Sequence, residues 1–362
     1  MDSEPVTAKS LSWTYMINSN TFERSYKDTL SGFSTWEQKG HGEEWVLKPG
    51  NIGPRIGIDE TSFCHELYTI VHNKDAHGKK GSIIAIVKGT TPLDVAAVLQ
   101  KIPAEQRLKV STATMDLSDC MRAIVREAFP EATVVRDCFH VIRRAGEGVE
   151  ELRLRLKREA VKDVNRQKAE FRKYLENLAK KRRLYRERCR KQGKKRPKGK
   201  RRGPKPKRLS TRFEPASLSN GETLVEALTR CRTQLSKSRD KWTEKEMQRA
   251  KILFERYPKL KEAYDLVNDL RTIFRDKKLT KETAKKKVTE WYGKVTKSTL
   301  REIKSVKDSI KHYEEEILNY FDKRETNASA ESLNSKIKCF RSSLRGVRDI
   351  PYFFYRSIMV FG

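Results

Sequence analysis

Five short β-rich runs between residues 55 and 141 constrain the fold of this chain more than any other feature. They are RIGIDETSF (55–63), ELYTIVHN (66–73), SIIAIVKG (82–89), LKVSTATMD (108–116) and ATVVRDCFHV (132–141). The first three follow one another with short connections, which predicts an antiparallel meander. Helical patterns at 90–102 and 117–130 separate the later runs. The order β-β-β-α-β-α-β therefore predicts an α/β domain built on a mixed sheet.

The rest of the chain has a different character and suggests four regions. These are a small helical N-terminal region (1–50), the first part of the α/β core (51–145), a basic α-helical insertion (146–323) and a return to the core through a C-terminal helix (324–362). Within the insertion, RKQGKKRPKGKRRGPKPKR (190–208) carries many basic residues and no acid. Repulsion among these charges, together with the prolines and glycines, predicts that this tract is disordered when free.

The charge balance points to a polyanionic partner. The 79 Lys and Arg residues against 48 Asp and Glu give a formal net charge of +31, for which nucleic acid is the first candidate and an anionic membrane surface the second. The sequence has no apolar run of about 18 residues that would span a membrane, and MDSEPVTAKS is too polar for a secretory signal. We therefore expect a cytoplasmic protein with no membrane partner.

The cysteines do not suggest a metal module. None of the six forms a C-x-x-C pair, and without a signal peptide they are predicted to be reduced thiols. Cys138 and His140 lie close enough in sequence to suggest zinc. However, there is no second ligand pair at zinc-finger spacing, so structural zinc is not expected.

Two aspartates occupy unusual places in the predicted sheet. Asp59 lies inside the first run, where Ile56, Ile58 and Phe63 predict burial, and Asp116 ends the fourth run. A buried charge is costly unless it is paired or binds a metal. If the first and fourth strands are neighbours, the two carboxylates can meet. Each acid also has an ordinary interpretation, Asp59 as a bulge or ion-pair residue and Asp116 as the N-cap of the following helix.

A third carboxylate comes from far downstream. In ETNASAESLNSKIKCFR (325–341), Asn327 fits the N-cap of a helix, Glu331 lies in its first turn and Asn334 follows on the same face. Three carboxylates on a rigid scaffold can hold two divalent ions about 3.5–4 Å apart, which clamp the attacking and leaving oxygens of a phosphodiester. The β-β-β-α-β-α-β order, which is that of a ribonuclease H-like core, favours this interpretation over three separate structural roles.

The same segments resemble bacterial insertion-sequence transposases of the DDE type. More narrowly, the chain is similar to the ISL-three group, which is related to eukaryotic Mutator-like transposases. The resemblance rests on GIDETS (57–62), TMDLSDCMRAIVREAFPEATVVRDCFHV (114–141) and TNASAESLNSKIKCFRSSLRGVRD (326–349), and it covers roughly residues 50–362. It implies a ribonuclease H-like fold with a large helical insertion before the last catalytic helix.

The resemblance also implies the site residues. Asp59, Asp116 and Glu331 would be catalytic and would hold two Mg²⁺ ions, or Mn²⁺ in their place. Asp137 and His140 match the family's aspartate-x-x-histidine feature. Asp137 remains the rival of Asp116 as second ligand, and His140 either contacts DNA near the cut or packs.

The residues next to this site complete the expected machinery. Asn334 would support the ligands without binding the metal itself. The predicted DNA-binding residues are Lys336, Lys338 and Arg341 on the catalytic helix, with Lys195, Arg196, Arg201, Arg202 and Lys205 in the basic tract. The predicted reaction is hydrolytic nicking at transposon ends, followed by attack of the freed 3′-hydroxyl on target DNA by a homo-oligomer assembled on DNA.

One departure from the family concerns residues 1–50. They contain no cysteine and no helix-turn-helix pattern, whereas full-length relatives begin with a zinc-binding module that recognises transposon ends. A separately encoded DNA-binding subunit could dock on the aromatic residues Trp13, Tyr15, Phe33 and Trp36, which we expect to be exposed. The alternative is that residues 1–50 cover the edge of the catalytic sheet.

Two other functions fit parts of the sequence. A non-catalytic basic nucleic-acid-binding protein explains the charge but not an aspartate inside a buried strand. A ribonuclease H-like nuclease that cuts without strand transfer, such as a junction resolvase, explains both the charge and the aspartates. Metal-dependent cleavage separates the first function from a transposase, and strand transfer from pre-nicked ends separates the second.

Overall fold

The computed structural model describes residues 1–63, 65–193, 211–344 and 347–362. Within these residues it has a single six-stranded sheet. Its strands are β1 (Trp45–Leu47), β2 (Arg55–Phe63), β3 (Glu66–Asn73), β4 (Ile83–Lys88), β5 (Thr112–Met115) and β6 (Thr133–Arg136).

Helices make up most of the remaining described chain. They are α1 (Ala8–Tyr15), α2 (Ser19–Ser25), α3 (Pro92–Leu99), α4 (Ala104–Arg107), α5 (Asp119–Ala128), α6 (Cys138–Lys191), α7 (Leu224–Leu235), α8 (Glu244–Arg256), α9 (Pro258–Arg275), α10 (Lys281–Lys297), α11 (Arg301–His312), α12 (Glu314–Leu318), α13 (Tyr320–Lys323), α14 (Ala328–Ser343) and α15 (Ile350–Phe361). The mixed α/β class predicted from the sequence is confirmed.

The sheet is mixed, with the order β1-β4-β3-β2-β5-β6. Antiparallel pairing joins β2 to β3, β3 to β4 and β4 to β1. Parallel pairing joins β2 to β5 and β5 to β6. The predicted meander is therefore present, and its first strand is also the neighbour of the fourth predicted strand.

Helices pack on both faces of this sheet. On one face, side chains from β2 and β4 form a hydrophobic cluster with α3 and α5 that includes Ile58, Ile84, Leu99 and Ile124. The other face carries a second cluster, with Phe63, Ile70 and Ile86 from the sheet and Leu333, Ile337, Phe340, Phe353 and Phe354 from α14 and α15. Burying each of these large apolar side chains contributes about 1.5–3 kcal/mol, so α14 is held firmly against the sheet.

The chain divides into two compact units. The first comprises residues 1–144, 270–293 and 307–362, and the second comprises 145–269 and 294–306. Residues 270–293 and 307–323, which the sequence places in the insertion, therefore belong to the unit that contains the sheet. They are tied there by Asn319, which donates to the Val134 carbonyl of β6, and by Arg324, which donates to the Asp276 and Leu279 carbonyls.

The second unit is helical. The Thr243–Glu246 capping box predicted for α8 is present, and Thr223 and Glu226 form a similar box on α7. Arg249 forms a partly buried ion pair with Glu222 at 2.7 Å. Residues 172–191, at the C-terminal end of α6, are almost entirely exposed and rich in Lys and Arg.

The exit from the fifth predicted strand is helical. The sequence pattern predicts a strand and its exit over residues 132–141; β6 ends at Arg136 and α6 begins at Cys138, so the exit forms the first turn of α6. The Asp137 carboxylate accepts the Phe139 amide at 3.3 Å, which satisfies a free N–H of the first helical turn. The β-forming residues of CFHV therefore enter a helix because a local cap outweighs their propensity. This helix continues unbroken to Lys191, where the sequence leaves one or two helices open.

The N-terminal region is not wholly helical. Residues 45–47 form β1, which pairs with the outer edge of β4, so this region does cover a sheet edge. Phe33 is buried and lies 5.5 Å from the Tyr355 ring, and Trp36 lies 5.4 Å from the same ring. The predicted exposure is therefore wrong for Phe33, whereas Trp36 is half-buried and Trp13 and Tyr15 are 86% and 69% exposed.

Two further points concern the predicted tract and the membrane. Residues 194–210 lie outside the described residues, and with them the five tract residues predicted to bind DNA. In the part of the chain that the structure describes, no helix has both the length and the apolar composition needed to cross a membrane.

Candidate active site

The register of β2 and β5 places Asp59 and Asp116 side by side. The parallel ladder pairs Gly57 with Thr114, and each aspartate lies two residues further along its strand direction. Alternation along β2 points Asp59 to the face that α14 covers, and Asp116 lies close enough for its charge to act on Asp59. The prediction that the two strands are neighbours is confirmed, and it brings the two carboxylates to one place.

Asp59 is half-buried and well held. Its Oδ1 accepts the Glu60 amide at 2.9 Å, and its Oδ2 accepts the Asn334 side-chain amide at 2.7 Å. Burial raises the pKa of Asp59 to about 6, the nearby Asp116 charge adds to the rise, and the Glu60 amide and His140 oppose it. A carboxylate whose charge is disfavoured in this way is suited to a cation.

Asp116 lies in the turn between β5 and α5. Its Oδ1 accepts the Ser118 amide at 2.9 Å, while Ser118 itself is the N-cap of α5. The interpretation of Asp116 as that N-cap is therefore wrong. The fully buried Arg136 donates to the Asp116 and Ser118 carbonyls, at 2.5 and 2.9 Å, and forms an ion pair with Glu316 at 2.8 Å. Arg136 therefore fixes the turn that carries Asp116.

Glu331 lies in the first turn of α14 and is exposed. Asn334, three residues later, is buried and makes the bond to Asp59, so the face of α14 that follows Glu331 is docked at the aspartates. Within the described ranges, no group of three or more His, Cys, Asp and Glu side chains lies at metal-binding spacing. The structure thus brings Asp59 and Asp116 together and brings the helix of Glu331 to them, without gathering all three carboxylates.

Asn327 stands at the N-cap position of α14, as predicted, but its side chain does not cap the helix. It is 1% exposed, and neither of its side-chain polar atoms has a hydrogen-bond partner among the described residues. The reason is its location: Asn327 Oδ1 lies against Gly57, beside the His72 ring. The sequence pattern identified the position of this residue but not the direction of its side chain.

Asp137 and His140 form a pair next to the aspartates. His140 Nδ1 donates to Asp137 Oδ2 at 2.9 Å, and Asp137 is 1% exposed. The bond to Asp137 raises the pKa of His140, and the charges of Asp116 and Asp59 raise it further, against the effect of burial. His140 therefore lies close enough to both aspartates for their charges to act on its ring.

The three predicted DNA-binding residues on α14 differ in their exposure and contacts. Lys338 is exposed, and Arg341 is half-buried. Lys336 is exposed as a residue, but its ammonium donates to the Gly78 carbonyl at 2.8 Å in the turn after β3. Of the three, Lys338 is the most accessible to a ligand.

Several buried polar residues near the site were not predicted. Lys74, Thr112, Thr114 and Glu325 form one network, and Arg136 and Glu316 form another. Burial lowers the pKa of Lys74, against the effect of the bond to Glu325. Glu325 is the first residue of the segment 325–341 that contains Glu331, which is the one signal in the sequence. Lys74 lies among the turn residues NKDAHGKKG, where nothing predicts burial.

The donor set fits a divalent cation in part. Asp59 and Asp116 offer hard oxygen ligands that repel one another, which a bound cation would relieve. Glu331 would add a third carboxylate of the same chemical type, but its side chain is exposed and is not gathered with the two aspartates.

A mixed sheet with two adjacent aspartates, in a strongly basic chain, fits an enzyme that acts on nucleic acid. A family model described as a transposase matches residues 56–357, and it represents the ISL3 type. The chain belongs to this ISL3 transposase family, which confirms the resemblance found in the sequence. The family implies DNA as substrate. Comparison with curated proteins and with solved structures gives no match.

Proposed function

We propose that this transposase is a DDE enzyme with a ribonuclease H-like fold that cuts DNA at transposon ends. It then joins the freed 3′-hydroxyl to target DNA. The order of β2 to β6, with an antiparallel meander followed by two parallel strands, supports the fold assignment.

One observation carries the proposal. Asp59 and Asp116 follow paired positions of β2 and β5, and Asn334 of α14 bonds Asp59 at 2.7 Å. This contact brings the helix of Glu331 to the two aspartates. A structural ion-pair role would place a basic partner on Asp59, yet the hydrogen bonds to its carboxylate come from two amides.

Asp59, Asp116 and Glu331 would hold the metal, for which we propose two Mg²⁺ ions with Mn²⁺ as a substitute. When bound, these ions would polarise the phosphodiester and help to deprotonate the attacking hydroxyl. The chain itself supplies the orientation, because Arg136 fixes the turn of Asp116 and the β2 ladder fixes Asp59.

Asp137 has a supporting role in this proposal. Its carboxylate is buried and already bonded to His140 and to the Phe139 amide, so we assign the second metal ligand to Asp116. His140 would then face the DNA near the cut with its remaining ring nitrogen.

The basic residues would bind the DNA backbone. On α14 we propose Lys336, Lys338 and Arg341, and in the insertion the exposed basic stretch 172–191 of α6 together with Lys195, Arg196, Arg201, Arg202 and Lys205. Binding through phosphates would be strongly salt-dependent and carry little sequence information.

End recognition and assembly extend the proposal. We propose that the enzyme acts as a homo-oligomer on DNA, in the cytoplasm at the nucleoid. A separately encoded DNA-binding subunit would dock on the first helices, where Trp13 and Tyr15 are exposed, whereas Phe33 is buried and Trp36 half-buried. In a competition assay, the chain alone is then expected to bind transposon ends and scrambled duplex almost equally.

The test is a cleavage and joining assay with labelled duplexes that carry the ends of the encoding element, with Mg²⁺ and with EDTA. We expect metal-dependent nicks and, from pre-nicked ends, joined products. Binding without cleavage would support a non-catalytic binder, and cleavage without joining would support a nuclease; either result contradicts the proposal.

A further inference from the structure

A buried ion pair lies at the entrance to α14. The Lys74 ammonium donates to Glu325 at 2.8 Å and to the Thr114 hydroxyl at 2.6 Å. The side chains of Lys74 and Glu325 are 9% and 4% exposed. The Thr112 hydroxyl also donates to Glu325, at 3.3 Å.

The members of this network connect three parts of the candidate site. Lys74 follows β3, and Thr114 lies on β5 two residues before Asp116. Glu325 lies three residues before the first residue of α14. The network therefore ties the segment that leads into α14 to the strand that leads into Asp116.

A purely stabilising role does not account for this choice of residues. A buried ion pair seldom stabilises a fold more than apolar residues of similar volume, because both charges lose their hydration. What the pair adds is direction, since an ammonium, a carboxylate and a hydroxyl must meet at fixed distances. The Asn334 bond to Asp59 lies nine residues further along the chain than Glu325. Two separated contacts fix both the position and the rotation of a helix.

We propose that the Lys74–Glu325 pair is a positioning device that sets α14 so that Glu331 can join Asp59 and Asp116 at the metal. This inference rests on the proposed function. Residues that orient metal ligands in this way typically change metal affinity or activity by about 10- to 100-fold when they are mutated. Lys74 and Glu325 would act through the helix and would not touch the metal or the DNA.

The experiment compares Lys74→Met and Glu325→Gln with a matched control, Arg249→Met. Arg249 forms an ion pair with Glu222 at 2.7 Å, with side chains 13% and 11% exposed, in the second compact unit. Mn²⁺ binding to the full chain is measured from the EPR signal of free Mn²⁺, and the Mg²⁺ concentration for half-maximal cleavage is measured in parallel. Circular dichroism fixes a temperature at which every variant is folded, and Glu325→Gln, which keeps the shape of the side chain, serves if Lys74→Met does not fold.

We expect the Lys74 and Glu325 variants to bind Mn²⁺ about tenfold more weakly and to need about tenfold more Mg²⁺, whereas Arg249→Met stays within about twofold. The double variant Lys74→Met/Glu325→Leu removes both buried charges. It should recover thermal stability but not Mn²⁺ affinity, because the directional contacts are gone.

Two results overturn the inference. Equal Mn²⁺ affinity in Lys74→Met, Glu325→Gln and Arg249→Met would show that the pair only stabilises the fold, as would recovery of Mn²⁺ affinity in the double variant. Failure of the proposed function looks different, because it would appear in the unmodified chain itself as a loss of metal-dependent cleavage or of joining.

Discussion

Asp59 and Glu331, two residues of the candidate site, are held in place by different kinds of structure. Asp59 lies inside β2, where backbone ladders to β3 and β5 fix the strand on both sides. Glu331 is exposed in the first turn of α14, whose place depends on side-chain contacts such as Asn334 with Asp59. In the proposed site, the sheet therefore positions two aspartates, while the docking of α14 determines where the third carboxylate lies.

The largest effect is expected when one of the three proposed ligand carboxylates loses its charge. Asp59→Asn, Asp116→Asn and Glu331→Gln should each reduce Mg²⁺-dependent cleavage by at least about a thousandfold, equivalent to about 4 kcal/mol of transition-state stabilisation. Each change removes a ligand charge and nearly keeps the shape of the side chain. Cleavage of labelled ends is measured beside DNA binding, which should not weaken.

The control for this series is Asp137→Asn, since Asp137 is buried and bonded to His140. We expect a smaller loss of cleavage than with Asp116→Asn. Normal cleavage by Asp116→Asn together with its loss in Asp137→Asn would reverse the two assignments.

A second prediction concerns Gly57, which lies in β2. A Cβ atom at this position would lie 2.1 Å from His72 Cε1, a contact that requires the buried imidazole or β2 to move. Gly57→Ala should therefore lower the free energy of unfolding by about 1–3 kcal/mol, as measured in urea. Gly40→Ala is the matched control, because its Cβ would meet no atom within 4 Å. Equal stability of the two variants would mean that β2 is not the rigid support described above.

A smaller effect is expected on the free energy of unfolding, in which Asp59 and Glu331 should differ. Burial raises the pKa of Asp59 to about 6, whereas the ordinary value is 3.8, so ionised Asp59 destabilises the metal-free fold at pH 7. Asp59→Asn should then raise the free energy of unfolding by about 2 kcal/mol at pH 7. Glu331→Gln should change it by less than about 0.5 kcal/mol because Glu331 is exposed.

The stabilising effect of Asp59→Asn should depend on pH. As the pH falls through 6 toward 3.8, folded Asp59 takes up its proton before the unfolded chain does, so the cost of its charge disappears. The advantage of Asp59→Asn should therefore be full above pH 6 and vanish below about pH 4. Urea unfolding in EDTA at pH 7, 5.5 and 4.5 measures it, and an advantage that is constant with pH would contradict the burial of this charge.

The sheet could be predicted because its signals are local. Each strand carries its own β-forming run, and Asp59 is conspicuous since Ile56, Ile58 and Phe63 predict burial around it. The point where the fifth strand gives way to its exit could not be located from the pattern, because it depends on the Asp137 carboxylate accepting the Phe139 amide, and a three-residue strand such as β1 leaves almost no pattern.

The supports of the site could not be predicted because they join distant parts of the chain. Lys74 and Glu325 are 251 residues apart, and Arg136 and Glu316 are 180 apart. No spacing rule connects such positions, and each residue alone resembles an ordinary surface charge. The direction of the Asn327 side chain was equally hidden, since it depends on Gly57 and His72.

The edges of the sheet limit how copies of this protein can assemble. β1 is three residues long and β6 is four, and the Asn319 amide already occupies the Val134 carbonyl of β6. Such short or occupied edges offer few backbone groups to a strand from another chain. A homo-oligomer on DNA would therefore be held by side-chain surfaces and by the DNA itself rather than by a continuous intermolecular sheet.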